Sequence, residues 1–193
     1  MSRNNQTIEQ YQSQVQEMDI DIDELEVMVN DWLYYAQVSA NSLRINKQAI
    51  NLAELVKEQI TKLTPLYASI CINSELQPIA LSADEKLLSR ALENLIINAC
   101  KFAQTKVKVS LIKQQESVII KVEDDGGGIS LALQEQIMRP FVKLDSSRNS
   151  EGVGLGLTIV KTILDKHQAK LSLQQGELTG ACFVIELKCE PDF

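Results

Sequence analysis

Three clusters of residues have types and spacings that could do chemistry. Asn94, Asn98 and Lys101 lie four and three positions apart, so at about 100° per residue they share one stripe of a helix. Leu88, Leu92, Leu95 and Ala99 form the neighbouring apolar stripe, which puts the polar one at the edge of a core, where a pocket wall belongs. Amide oxygens are hard, neutral ligands suited to Mg²⁺, and a lysine one turn on can meet phosphate oxygens as a point charge. The second cluster, Asp124-Asp125-Gly126-Gly127-Gly128-Ile129, follows a strand-like run. A carboxylate there can accept a hydrogen bond from an exocyclic amine and so read adenine, while glycines let the backbone pass close to a flat ring. The third, Gly152-Val153-Gly154-Leu155-Gly156-Leu157, opens a helix. Backbone N–H groups at such an end form an anion site. Lys143 and Arg148, on a polar segment between the last two clusters, could close over phosphates as a lid.

Each cluster has a plainer reading as well: a polar helix flank, a tight loop, a glycine-rich turn. The third lacks the GxxxxGK[ST] of a P-loop, and its GxGxG spacing is not a dinucleotide fingerprint. Glu93 falls on the far side of the apolar stripe and is not expected in the pocket.

The elements that must position these residues follow from periodicity. Asn51 is a good cap for a helix over about 52–64 that Pro65 closes. Strands are predicted at Leu43–Gln48 and Tyr67–Ile72. Ser82 is the expected cap of a long helix, Ala83–Ala103, that carries the first cluster. Lys106–Ile112 and Ser117–Glu123 alternate around a turn at Gln114–Glu116. A short helix is predicted near Ala132–Met138, a polar segment over Pro140–Gly154 and a helix over about Leu155–Lys166. Strands at Lys170–Gln174 and Ala181–Lys188 follow. The predicted fold class is α+β: a two-layer α/β sandwich, with a mixed sheet and helices on one face, preceded by a long helix.

That leading helix stands apart. The first 40 residues contain no Gly and no Pro. Met18, Ile22, Leu25, Val29, Trp32 and Ala36 recur at alternating spacings of four and three, a heptad seam. One helix cannot bury such a seam alone, so residues 5–39 read as one helix of a bundle. The domains expected are 1–40 and 41–193.

Composition sets the outer limits. The chain has 193 residues, 45% hydrophobic and 23% charged, with a net charge of −7. A negative surface argues against nucleic-acid or anionic-membrane binding. No stretch approaches the roughly 20 apolar residues of a membrane helix. Cys71, Cys100, Cys182 and Cys189 show no CxxC spacing, so reduced thiols are expected rather than zinc.

Order and spacing together carry a resemblance. ENLIINACKFA (Glu93–Ala103), VEDDGGGI (Val122–Ile129), RPFVKLD (Arg139–Asp145) and GVGLGLTIV (Gly152–Val160) resemble the N, first glycine, F and second glycine boxes of a known family. That family is the catalytic ATP-binding domain of sensor histidine kinases, within the gyrase, Hsp90 and MutL group. VEDDGGGI, PFVKLDSSR and LYYAQVS (Leu33–Ser39) also resemble RstB-type two-component sensor kinases. The resemblance covers about residues 15–188.

It implies ATP and Mg²⁺ as ligands. Asn98 would hold the metal, Asn94 and Lys101 would face the phosphates, and Asp124 would take the adenine amine. Phe102, Gly126, Gly128, Ile129, Lys143, Arg148, Gly152, Gly154, Leu155, Gly156 and Leu157 would complete the nucleotide site. Residues 5–39 would be the second helix of a dimerisation and phosphoacceptor hairpin whose other helix carries the histidine. The only histidine here is His167, in His167-Gln168-Ala169 where the family often has His-Gly-Gly, and a structural role is expected for it. Gly127 stands where a proline is frequent. The implied protein is a cytoplasmic portion of a bacterial inner-membrane kinase that passes phosphate to a response regulator receiver domain and dimerises through its N-terminal helix. This portion alone is not expected to autophosphorylate or to touch the membrane. The alternatives are a non-catalytic ATP-binding switch and an ATP hydrolase of the same fold group; the latter needs a water-activating carboxylate.

Overall fold

The computed structural model describes residues 44–143 and 154–188 throughout, and upstream positions 14, 15, 18, 22, 25, 26, 28–30 and 32–37. Every described position between 14 and 37 is helical (α1). Then follow β1 (Gln48–Asn51), α2 (Leu52–Leu63), β2 (Cys71–Leu76), β3 (Ala80–Ala83), α3 (Glu85–Phe102), β4 (Lys106–Gln114) and β5 (Ser117–Asp124). The last elements are α4 (Gly156–Lys166), β6 (Lys170–Gln174) and β7 (Cys182–Lys188). Five strands form one sheet in the order β2-β4-β5-β7-β6, and β1 pairs with β3 in a small ribbon. Only β2 and β4 run parallel, because α3 lies in the crossover between them; the remaining pairs are antiparallel.

Alternation places Val118, Ile120 and Val122 of β5 on the same side as Val107, Val109 and Leu111 of β4. They meet Leu88, Leu92, Leu95 and Ile96 of α3 and Ile159, Val160 and Ile163 of α4 in one core. Among the described residues α3 and α4 pack on this face. The opposite face carries a small apolar group, Ile119, Cys182 and Val184, with Ile112 beside it. Cys100 and Cys182 are buried and Cys71 is exposed, all as free thiols, while Cys189 lies outside the described residues.

Several elements differ from expectation. The strand placed at Leu43–Gln48 forms instead at Gln48–Asn51, where β3 offers partners from Ala83 to Ala80. The N–H of Asn46 turns away to the Asp84 carboxylate, 2.8 Å. The strand placed at Tyr67–Ile72 forms at Cys71–Leu76, because Pro65 initiates a 3₁₀ turn over Thr64–Tyr67. Ser82 does not cap α3. Pairing with β1 draws Ser82 and Ala83 into β3, and Asp84 caps the helix by accepting from Leu87 N, 3.1 Å. The segment Ala132–Met138 is not an α-helix but a 3₁₀ turn, Leu131–Leu133, followed by turns. Within it Ile137 alone is buried, and Pro140 disfavours helical backbone at Arg139. Asn51 caps α2 as expected.

Candidate functional site

The wall of the site is α3. Its core stripe fixes its rotation, which leaves Asn94 and Asn98 half-buried on one flank. Asn94 Nδ2 donates to the Arg90 carbonyl one turn back, 2.9 Å, leaving its Oδ1 turned toward α4. A Cβ added to Gly156 would stand 2.9 Å from that oxygen and 3.8 Å from Asn98 Nδ2. The first and third clusters therefore meet at the start of α4, where an added Cβ would press on the Asn94 amide oxygen. Among the described residues no side chain caps α4. Among these residues its first N–H groups are not taken by a capping side chain, and N–H groups at such a helix start can take an anion. Leu155, fully buried, pins the turn into the core, and Leu157 is half-buried beside it.

The floor is the end of β5. Asp124 is 3% exposed. Its Oδ1 accepts from Gly126 N, 2.9 Å, and from Ala181 N, 3.2 Å. Its backbone is paired on both sides with Ala181 and Gly180. Among the described residues Oδ2 takes no hydrogen bond, so it is the acceptor left for a ligand amine. Burial pushes the Asp124 carboxyl above its ordinary pKa, and the Gly126 and Ala181 amides oppose the shift. A Cβ on Gly126 would overlap the Phe102 carbonyl, so the second cluster closes against the end of α3. Gly128 has φ +69° and packs below the Thr179 and Gly180 carbonyls; Ile129 packs on the core.

Sequence reasoning missed Asp125. Its carboxylate accepts from Gln104 N, Thr105 N and Thr105 Oγ1 at 2.7, 3.0 and 2.6 Å. The Thr105 hydroxyl, with these amides, holds its pKa far below the usual carboxylate range. Asp125 ties the turn after α3 to the glycine loop. Nothing local signals this, since two adjacent aspartates at a strand end look interchangeable.

On the open side, Lys101 and Phe102 are exposed at the end of α3, and Lys143 is exposed. Arg148 and Gly152 lie outside the described residues. Phe141, at φ +65°, donates its N–H to the Gly154 carbonyl, 3.0 Å. The α1 helix reaches this rim: Tyr35 meets Phe141 edge-on at 6.5 Å, and the Arg90 guanidinium lies 3.9 Å above the Tyr34 ring.

Two residues stand away from the site. Glu93 pairs with Lys62 of α2 at 2.6 Å, on the other side of α3. His167 follows α4 at its far end, 8% exposed. Its Nδ1 donates to the Ile163 carbonyl, 2.8 Å, and its Nε2 accepts from Asp84 N, 3.1 Å. Nε2 as an acceptor requires the neutral ring, and burial, which holds the pKa below its ordinary value, favours the same form.

Among the described residues no group of three or more His, Cys, Asp or Glu could hold a metal. A cation here would rest on an amide oxygen of Asn98 together with ligand phosphates and water, a donor set that suits Mg²⁺.

Comparison with known proteins supplies the context for this geometry. Residues 83–191 match the family described as histidine kinase-, DNA gyrase B-, and HSP90-like ATPase. The chain is 32% identical over 185 residues to sensor histidine kinase CpxA of Escherichia coli (strain K12), covering 93% of this chain and 39% of that protein. It is 32% identical over 173 residues to sensor protein RstB of the same strain, covering 87% and 40%. The fold superposes with a TM-score of 0.82, at 25% identity, on full-length ShkA in complex with AMPPNP, covering 97% of this chain and 41% of that one. The chain thus spans about two fifths of the length of each.

Proposed function

The chain belongs to the histidine kinase-, DNA gyrase B- and HSP90-like ATPase family, and from that premise we propose that it binds ATP with Mg²⁺ and transfers the γ-phosphoryl group to a histidine on another helix. The observation that carries this reading is the convergence of Asn94 and Asn98 on the start of α4, together with a buried Asp124 of which Oδ2 takes no hydrogen bond among the described residues. Asp124 Oδ2 accepts the adenine amine, and the loop at Gly126 and Gly128 takes the ring. Asn94, Lys101 and the first amides of α4 hold the phosphates, with Lys143 and Arg148 closing from the lid. Asn98 holds Mg²⁺, which when bound neutralises phosphate charge. These residues position and stabilise; the structure assigns no covalent step to any of them.

The acceptor is separate from His167. The 11 residues of α4 span about 16 Å at a rise of ~1.5 Å each, and both ring nitrogens of His167 are engaged at the far end. A hydrolase needs a carboxylate to activate water, and the pairing of Glu93 with Lys62 disfavours that alternative.

We assign residues 1–40 to one helix of a dimerisation hairpin and 41–193 to the catalytic domain. Support comes from the seam: Met18, Ile22, Leu25, Val29 and Trp32 are each 53–63% exposed. A response regulator receiver domain is the proposed final acceptor, with the parent protein at a bacterial inner membrane. Among the described residues no helix is long and apolar enough to cross a membrane. The test is incubation with γ-labelled ATP, with and without a separate histidine-bearing helix hairpin of the relatives' type. Acid-labile label on the hairpin alone is expected. Confirmed ATP binding with no label on either chain would favour the nucleotide switch.

A further inference from the structure

Glu123 has a chemistry that the reading above does not use. It precedes Asp124 on β5, so the two side chains point to opposite faces of the sheet. Glu123 faces away from α3 and α4, opposite Lys108 of β4 and Cys182 of β7. It is nevertheless 2% exposed. What buries it is the loop between β6 and β7. Glu123 Oε2 accepts from Glu177 N at 2.7 Å and from Leu178 N at 3.4 Å. Gly176 comes so close that an added Cβ would lie 2.9 Å from the Glu123 carboxyl carbon and 3.0 Å from Cys182 Cβ. Glu177 is tied from outside as well: its carboxylate meets Lys108 Nζ at 2.9 Å, and Lys108 also reaches Glu75 of β2, 3.0 Å.

The same loop continues straight into the site. Thr179 and Gly180 place their carbonyls over Gly128, Gly180 N donates to the Asp124 carbonyl, and Ala181 N donates to Asp124 Oδ1. Two neighbouring carboxylates therefore hold one loop from opposite faces of the sheet, Glu123 at residues 177–178 and Asp124 at Ala181, with the Asp124 carbonyl taking Gly180 N. The loop thus supplies one of the two N–H groups that hold Asp124 Oδ1, Ala181 N, while Gly126 N supplies the other. An ion pair would have sufficed to fasten the loop. A buried carboxylate accepting backbone N–H groups also fixes the direction of the chain, because a hydrogen bond constrains angle where an exposed charge pair does not.

We propose that Glu123 is a positioning residue for base recognition: by holding the β6–β7 loop it sets the orientation of the Asp124 carboxylate, and with it the preference for a base with an exocyclic amine. This rests on Asp124 being the adenine acceptor. The test compares ATP with inosine triphosphate, which carries a carbonyl in place of that amine, by calorimetric titration of the full chain. Glu123→Ala is expected to weaken ATP binding about fivefold, the scale of one lost hydrogen bond, and to leave inosine triphosphate binding within about twofold. Glu123→Gln keeps an acceptor oxygen and is expected to keep the ATP preference. If Glu123→Ala does not fold, Glu123→Asp withdraws the acceptor by one methylene while keeping the charge, and the same loss of preference is expected. Equal weakening of both nucleotides, or an unchanged preference in the folded variant, would overturn the proposal. A native chain that binds both nucleotides alike would instead remove the reading of Asp124, and the role of Glu123 with it.

Discussion

The two ends of α4 make opposite use of one helix. At its start Gly156 lies against Asn94 and Asn98, and among the described residues no side chain caps the first turn. At its end His167 is buried, both ring nitrogens are bonded, and Asp84 links it to the start of α3. The start, without a side-chain cap among the described residues, is where the proposed phosphate site lies; the satisfied groups at the other end form a brace. The brace also fixes the pocket, since Asp84 caps the helix that carries Asn94 and Asn98. Each end should therefore fail in its own way: the closed end through stability, the open end through affinity.

His167→Ala should produce the largest effect. It leaves the buried Asp84 N–H without its acceptor and removes the ring N–H from the Ile163 carbonyl, which keeps the residue-167 backbone N–H, at a cost of about 2 kcal/mol. For a chain of this size that lowers Tm by roughly 6 °C. ATP affinity, measured well below the new Tm, should change by less than about twofold. A large loss of affinity with unchanged Tm would erase the contrast between the two ends.

At the open end, Asn98→Ala should weaken ATP binding about tenfold in the presence of Mg²⁺, equivalent to about 1.4 kcal/mol. Tm should hold, because the side chain is half-exposed. Titration in EDTA should show a much smaller difference. The same factor with and without Mg²⁺ would withdraw the metal assignment.

A pH series sharpens the comparison. The folded state lowers the His167 pKa below the unfolded value of 6.5 because burial penalises the cation. Between those two values the unfolded chain binds the extra proton, so stability rises with pH. The contribution is complete above about pH 6.5 and is lost as pH falls below it. Denaturant midpoints should decline over that range in the native chain, and the decline should flatten in His167→Gln. An identical profile in both would show that another group controls it.

The smallest effect belongs to Gly127, where an added Cβ meets nothing within 4 Å and φ is not positive. Gly127→Ala should stabilise by about 0.5 kcal/mol by restricting the unfolded chain, with ATP affinity unchanged. Destabilisation would mean that the loop needs backbone freedom there.

Much of this was legible in the residues themselves. Spacing alone put Asn94 and Asn98 on one flank of a helix and Glu93 on another, because helical phase is set by neighbours three and four positions apart. Asn51 announced α2, and the β4–β5 hairpin could be read from its alternation. The seam of α1 and the absence of any second histidine are also properties of sequence. Tertiary structure decided what depends on distant partners. Asp84 rather than Ser82 caps α3 because β1 claims Ser82 for a strand, and the Asp84 N–H finds its acceptor 83 residues away. Ala181 reaches Asp124 across 57 residues, and Glu123 is buried by a loop 54 residues downstream. Local propensity is a sum of short-range terms. A carboxylate becomes a cap or a clamp only when the folded sheet brings a particular N–H within about 3 Å.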